Sequence, residues 1–186
     1  MKQGILGKFL ITAGLVTGMA LASGHGNSNA PLTGADLEKS VRHEILMYPK
    51  LTLWDDVRFR VSDGNIELSG AVNQPYKRDD LQRLVQHVPG VKSVTNDVKV
   101  LPLSSFDDEL RIRVARAIYY DPVLSRYAWG AVPSIHVIVE NGKVTLRGSV
   151  QSDMDKNVAG IRASGAGMSF GPVVNEIHVE NPAKKS

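Results

Sequence analysis

Cysteine is absent from the 186 residues, which excludes disulfides, thiolate metal ligands and a lipidated N-terminal cysteine. Acidic residues are absent before Asp36, and the longest apolar run, from Phe9 to Ala22, is about 14 residues. That run is short of the roughly 20 residues that span a bilayer. Lys2 and Lys8 precede it, and Ala20-Leu21-Ala22 supplies a small-x-small site. The pattern predicts a secretory signal peptide over 1–22, cleaved after Ala22, and a Gly/Asn/Ser-rich lead-in over 23–35. The alternative, an uncleaved anchor helix, needs a longer run. Strong net charge is also missing: without Lys2 and Lys8, 20 of the 22 basic side chains remain against 19 acidic ones. A uniformly basic nucleic-acid-binding surface is therefore excluded, although a local basic face is not.

What is present is a repeat. VSDGNIELSGAV at 61–72 returns as VENGKVTLRGSV at 139–150. Apolar residues alternate on both sides of Asp63-Gly64 and Asn141-Gly142, the period of strands with one buried face around a two-residue type I′ turn. Each copy therefore predicts a β-hairpin. Gly70 and Gly148 fall where the alternation calls for an inward side chain, and so predict the close approach of a helix or another backbone.

The match extends outward. Leu37, Val41, Ile45, Pro49 and Leu51 correspond to Leu110, Val114, Ile118, Pro122 and Leu124 at a constant offset of 73. Steps of four place the first three of each set on one helical face, and the proline follows the helix end. Downstream, Leu81, Leu84, Val85 and Val88 predict a second helix, with Val158 and Ile161 as its weaker echo. Val94, Asn96, Val98 and Val100 answer to Val173, Asn175, Ile177 and Val179 as a closing strand. The fold class is α+β: two tandem αββαβ units, each a small three-stranded sheet covered on one face by two helices. The units run over 36–101 and 107–180, with a linker at 102–106 and a tail at 181–186. Cores this small are marginal alone, so the copies are expected to pack together.

The hairpin V-x-(D/N)-G-x-(V/I)-x-L-x-G-x-V, the helix before it, and Val88-Pro89-Gly90-Val91 leading into Val94-Thr95-Asn96-Asp97-Val98 resemble the BON domain, named for bacterial OsmY and nodulation proteins. Two copies behind a signal peptide look like tandem-BON periplasmic proteins. The resemblance implies a non-enzymatic periplasmic envelope protein without a lipid anchor, which binds anionic phospholipid or attaches other proteins to membranes. Osmotic or envelope stress and outer-membrane integrity are the processes it suggests. The second copy departs from the pattern, carrying Ser164-Gly165-Ala166-Gly167-Met168-Ser169-Phe170-Gly171 after its second helix.

The differences between the copies carry the functional information. In DDELRIRVARAIYY, Leu110, Val114, Ala117 and Ile118 form the expected core stripe, while Ile112 and Tyr119 point nearly opposite, flanked by Arg113, Arg116 and Tyr120. Apolar and aromatic residues rimmed by arginines suit an anionic headgroup region or a protein partner. The other reading is that Tyr119 and Tyr120 cover the neighbouring unit or loop, with the arginines solvated or paired to Asp107, Asp108 and Glu109. The first copy carries Lys39, Ser40, His43, Leu46 and Met47 at the equivalent places. The second copy also inserts about five residues within Arg126-Tyr127-Ala128-Trp129-Gly130-Ala131-Val132-Pro133. Arg126, Tyr127 and Trp129 there are candidates for the same surface, or a lid over a small core.

Gly165-x-Gly167-x-x-x-Gly171 runs from helix into strand, the reverse of a phosphate-binding loop, and is read as a flexible connection. His43, His87, His136 and His178 share no ligand spacing, and His136 and His178 are expected on the outer sheet face. No serine has the context of a nucleophile, and Asp107-Asp108-Glu109 reads as a helix start. No catalytic site, cofactor, metal or small-molecule substrate is expected. The partner is an anionic phospholipid surface or, alternatively, an envelope protein served by an adaptor or chaperone-like factor.

Overall fold

The computed structural model describes residues 32–130 and 132–182. The segment read as a signal peptide, the lead-in up to residue 31 and residues 183–186 lie outside the described residues. The first unit runs α1 (Gly34–Leu46), β1 (Asp56–Ser62), β2 (Asn65–Val72), α2 (Pro75–Gln86) and β3 (Ser93–Val100). The second runs α3 (Ser105–Tyr119), a 3₁₀ turn (Ser125–Ala128), β4 (Ile135–Glu140), β5 (Lys143–Val150), α4 (Asp153–Gly165), β6 (Val174–Asn175) and β7 (His178–Val179). In each unit an antiparallel hairpin is extended by a parallel strand, so the hairpin's second strand is central.

The opening helix of each unit starts two residues before the sequence pattern places the unit, because the periodic signal begins inside the helix rather than at the cap. Helix α1 opens at Gly34, inside the segment read as lead-in, and Leu32 packs against the first core. Helix α3 opens at Ser105, with the Ser104 hydroxyl accepting from the Asp107 N–H at 3.2 Å.

Both turns have the positive φ that a type I′ turn requires: Asp63 50° and Gly64 86°, Asn141 52° and Gly142 73°. At Gly148 an added Cβ would lie 1.9 Å from the Ser134 carbonyl oxygen, and at Gly70 1.9 Å from that of Asp56. The close partner is thus the neighbouring strand's backbone. The closing strand of the second unit is not continuous like β3. It is two short pairings with β5, flanked by the Glu176 N–H to Leu146 C=O and Glu180 N–H to Val150 C=O bonds, each 2.9 Å.

Two sequence expectations are corrected by the core. Helix α3 buries Leu110, Arg111, Val114, Ala115 and Ile118, so Ala115 replaces the expected Ala117. The stripe is rotated toward β4, where Arg111 donates to the Val139 carbonyl at 2.7 Å. Helix α4 buries Asp155, Ala159 and Ala163, the counterparts of Lys77, Leu81 and Val85, whereas Ile161 is 68% exposed and Val158 is half-buried. The alanines are weak periodic markers, and the two larger residues beside them misplace the stripe. Leu124, Tyr127 and Ile177 supply volume to this core instead.

The units meet at the segment before β1. Leu53 and Trp54 pack against the second core, the Val137 N–H donates to the Leu53 carbonyl at 2.9 Å, and Arg147 lies 3.5 Å from Asp56. This contact covers the free edge of β4, which needs cover because Ile135, Val137, Ile138 and Val139 are all buried. In β1 the matching places of His136 and Ile138 are Arg58 and Arg60, charges that suit an exposed edge.

Each unit also places an ion pair at the first turn of its second helix, with reversed polarity; the first pair is fully buried, and in the second only the carboxylate is. In the first, Lys77 on α2 meets Asp55 on the loop before β1 at 2.6 Å. In the second, Asp155 on α4 meets Arg126 from the 3₁₀ turn at 2.6 Å. Lys77 and Asp155 are both the third residue of their helix.

Candidate functional site

The outer side of α3 is exposed to solvent. Ile112 is 45% and Tyr120 82% exposed. Arg113 pairs with Glu109 at 2.5 Å, one turn earlier, while Arg116 makes no ion pair among the described residues. Because the units join through the edge of β4, this face is left open. Beside it, Arg116, Ala117 and Tyr120 form one wall of a groove of about 470 Å³, and Ile161, Arg162 and Gly165 of α4 form the other. Arg162 is held at 2.6 Å by Asp121. Burial disfavours the charge of Asp121, but the hydrogen bonds from Val123 and Arg162 outweigh it and hold the carboxyl below the usual range.

Ile161 lines this groove, whereas the periodic pattern alone places it in the core. The signal that separates the two readings is its registration with Arg83 of the first copy, an exposed position.

Three proposed site residues turn inward or are engaged elsewhere. Tyr119 packs against the second core and its hydroxyl donates to the Ile135 carbonyl, so it does not share the outer face. Burial pushes its phenol well above the ordinary value. Tyr127 is buried: its hydroxyl donates to Asp155 at 2.8 Å and accepts from the Gln151 N–H at 2.9 Å. Arg126 is spent on Asp155 and lies over the Tyr127 ring at 5.1 Å. Of the three candidates in the inserted segment only Tyr127 is a lid on the core, while the exposed Arg126 reaches the buried carboxylate at the start of α4. Desolvation opposes ionisation of Asp155, yet hydrogen bonds from Ser152, Tyr127 and Arg126 hold its carboxyl below the usual range. Trp129 is exposed, at 81%.

Other candidates resolve as structure. Asp107 is buried and accepts from the Asn141 and Gly142 N–H groups at 2.9 and 2.7 Å, tying the hairpin turn to the start of α3. Phe170 anchors the Gly-rich run, donating its N–H to Gly142 C=O at 2.8 Å and stacking on Phe106 at 4.8 Å. His136 does face outward from its sheet, but the first unit lies there, and burial lowers its pKa despite the nearby Asp56 and Asp55. His178 is exposed. Among the described residues no group of three or more His, Asp or Glu could hold a metal, and no helix is long and apolar enough to cross a membrane.

The BON domain family model matches residues 33–102 and 107–181, one match per αββαβ unit. The chain belongs to the BON-domain family. BON domains are in general non-catalytic and have membrane- or envelope-associated roles. No curated protein matches the chain. Two solved structures of CdsD, a structural protein of the type III secretion system of Chlamydia trachomatis, resemble it at 18% identity. One match covers 78% of this chain with a TM-score of 0.31, and the chain spans only 61% of that protein's length. The other, the C-terminal domain, covers 80% of this chain and 67% of that one with a TM-score of 0.32.

Proposed function

We propose that this tandem-BON protein is a periplasmic envelope protein that binds anionic phospholipid surfaces through the outer face of α3 and its groove with α4. The supporting observation is the juxtaposition of Arg116, which has no ion-pair partner among the described residues, with the exposed Tyr120 and Ile161 across one groove. An arginine near a charged leaflet contributes about 1 kcal/mol, and an amphipathic tyrosine ring favours the headgroup level. Glu109 and Asp121 offset part of the charge of Arg113 and Arg162, so the attraction is weak and salt-sensitive. Export by the N-terminal leader would deliver it to the periplasm, where envelope integrity or osmotic stress is the process served.

Co-sedimentation with phosphatidylglycerol vesicles tests this. Binding at low salt should fall at high salt and in Arg113→Ala/Arg116→Ala, and Tyr120→Ala/Ile161→Ala should weaken it independently of salt. Absence of binding at low salt, or identical binding by both variants, overturns the proposal. A second reading, a protein-interaction adaptor, is supported by β1: among the described residues its edge has no counterpart of the contact that covers β4. An extended partner segment could pair there. Recovery of one stoichiometric envelope protein, with vesicles ignored, would favour it.

A further inference from the structure

The β1/β2 turn and the start of α1 meet at one corner of the first BON unit, and the repeat gives that corner a counterpart whose occupant is visible. In the second unit the Asp107 carboxylate sits there, accepting from the Asn141 and Gly142 N–H groups at 2.9 and 2.7 Å, and the stacked Phe106 and Phe170 rings flank it. The offset of 73 that aligns Leu37 with Leu110 puts Gly34 in the place of Asp107 and Thr33 in that of Phe106. The offset of 78 that aligns the two turns puts Lys92 in the place of Phe170. Backbone bonds agree with that second match: the Lys92 N–H donates to the Gly64 carbonyl and the Phe170 N–H to the Gly142 carbonyl, each at 2.8 Å. The first unit thus keeps the turn that holds the carboxylate and lacks the carboxylate and both rings.

What remains is a pocket of about 610 Å³ bordered by Gly34, Asp63, Gly64 and Lys92, with Leu32 and Val61 as apolar walls. The N–H groups of Asp63 and Gly64 make no hydrogen bond among the described residues. A Cβ added at Gly34 would meet nothing within 4 Å, so no described residue fills the place of the Asp107 side chain. Thr33 does not cap α1 with its side chain, which leaves the first N–H groups of that helix open at the same corner. The stem of Lys92 lies over Gly64, where an added Cβ would stand 3.1 and 3.2 Å from its Cγ and Cδ. Its ammonium has no ion-pair partner among the described residues. Glu38 also borders the pocket but is paired to Arg42 at 2.9 Å, and Lys92 offsets Asp63. The hold on an anion therefore comes from directed donors rather than from surplus charge, as in backbone nests that capture terminal carboxylates.

We propose that this corner of the first BON unit binds a carboxylate carried on an apolar body, the C-terminus of a peptide or a free aliphatic acid, in the place that Asp107 fills in the second unit. The Asp63 and Gly64 N–H groups are the donors, Lys92 is the counter-ion, and Leu32 and Val61 take the apolar part. One unit carries its carboxylate in the chain, and the other receives it from outside. The site shares no residue with the α3/α4 groove and does not rest on the phospholipid reading of that groove.

The test is amide NMR of the isotope-labelled full chain, titrated with isovalerate, with its neutral amide isovaleramide, and with N-acetyl-alanyl-leucine, a dipeptide that ends in a free carboxylate. Both carboxylates should shift the Asp63 and Gly64 amide signals saturably at millimolar concentration, and isovaleramide should not. Gly34→Asp returns the missing carboxylate to the chain, and aspartate tolerates the φ of 57° there better than most residues do. It should move the same two signals without any ligand and abolish the response. Lys92→Gln, an exposed change, should leave the other amide signals in place and weaken binding about three- to tenfold. Arg113→Ala/Arg116→Ala should leave binding unchanged, which separates this site from the phospholipid face. Binding of the dipeptide about tenfold tighter than isovalerate assigns the ligand to a peptide C-terminus, and equal binding assigns it to a free acid. No saturable shift with either carboxylate, equal shifts with isovaleramide, or full affinity in both Gly34→Asp and Lys92→Gln overturns the proposal.

Discussion

Replacing Lys77 with methionine isolates the buried ion pair of the first unit, because the apolar stem is kept and only the ammonium is removed. Lys77 Nζ donates to Asp55 Oδ2 and Asn73 Oδ1, both at 2.6 Å, and the Lys77 and Asp55 side chains are 3% and 0% accessible. Without the ammonium, Asp55 keeps three neutral donors: the Thr52 N–H and hydroxyl and the Asn73 N–H, each at 2.9 Å. Orphaning one partner of such a pair costs about 3–5 kcal/mol, and the three remaining donors place this case near the low end, about 3 kcal/mol. Since small domains are stable by about 5–15 kcal/mol, that is a large fraction. Trp54 lies on the same loop and packs against the second core, so the damage should reach both units. Urea denaturation followed by tryptophan emission suits the measurement, because Trp54 is partly buried and the only other tryptophan, Trp129, is largely exposed. Asp55→Asn combined with Lys77→Met should recover part of the loss by removing the unpaired charge. A cost below about 1 kcal/mol for Lys77→Met would refute the reasoning.

Gly148→Ala should destabilise by at least about 2 kcal/mol in thermal melts, since its Cβ meets the Ser134 carbonyl and φ is 99°. Gly165→Ala, where an added Cβ meets nothing, should cost nothing or stabilise by up to about 0.5 kcal/mol. Tyr127→Phe removes a donor to Asp155 and the acceptor of the Gln151 N–H, for a loss of about 2–4 kcal/mol in urea, with vesicle binding unchanged while the protein is folded. Lost vesicle binding in folded Tyr127→Phe would put that residue back at the surface. Acid stability follows Asp80 and Asp155. Hydrogen bonds from Tyr48, then Arg83 and Lys50, hold Asp80 at about 2, and those on Asp155 also lower it. Both bind protons less readily folded than unfolded, so their stabilisation is complete above about pH 4 and is lost as pH falls below it, for Asp80 toward about 2. Asp155→Asn should flatten that acid limb in melts taken across pH, and an unchanged limb would count against the assignment.

Legibility in the sequence followed the strength of the local signal. Asp63-Gly64 and Asn141-Gly142 have few conformational alternatives, and Leu37/Val41/Ile45 and Leu110/Val114/Ile118 repeat at helical spacing. Those elements were readable, as was the exposure of Ile112 and Tyr120. Helix α4 was not, because its buried face is Asp155, Ala159 and Ala163, which do not mark a hydrophobic stripe. The pattern leaves Tyr119 and Tyr127 open between surface and core for a related reason: an aromatic with a hydroxyl suits a wet interface and a buried hydrogen bond equally well.

The sequence by itself determined the architecture. Turn chemistry and periodicity act between neighbours in the chain, and their duplication declares two αββαβ units of the BON family. Tertiary structure decided which faces are available. The edge of β4 is apolar and buried under Leu53 and Trp54, so the joint between units forms there and the outer side of α3 stays free. The buried Asp155 holds Tyr127 in the core and engages the half-exposed Arg126, while Ile161 is turned out beside Arg116. These outcomes depend on desolvation and on partners 28 or more residues away, quantities that no local pattern carries.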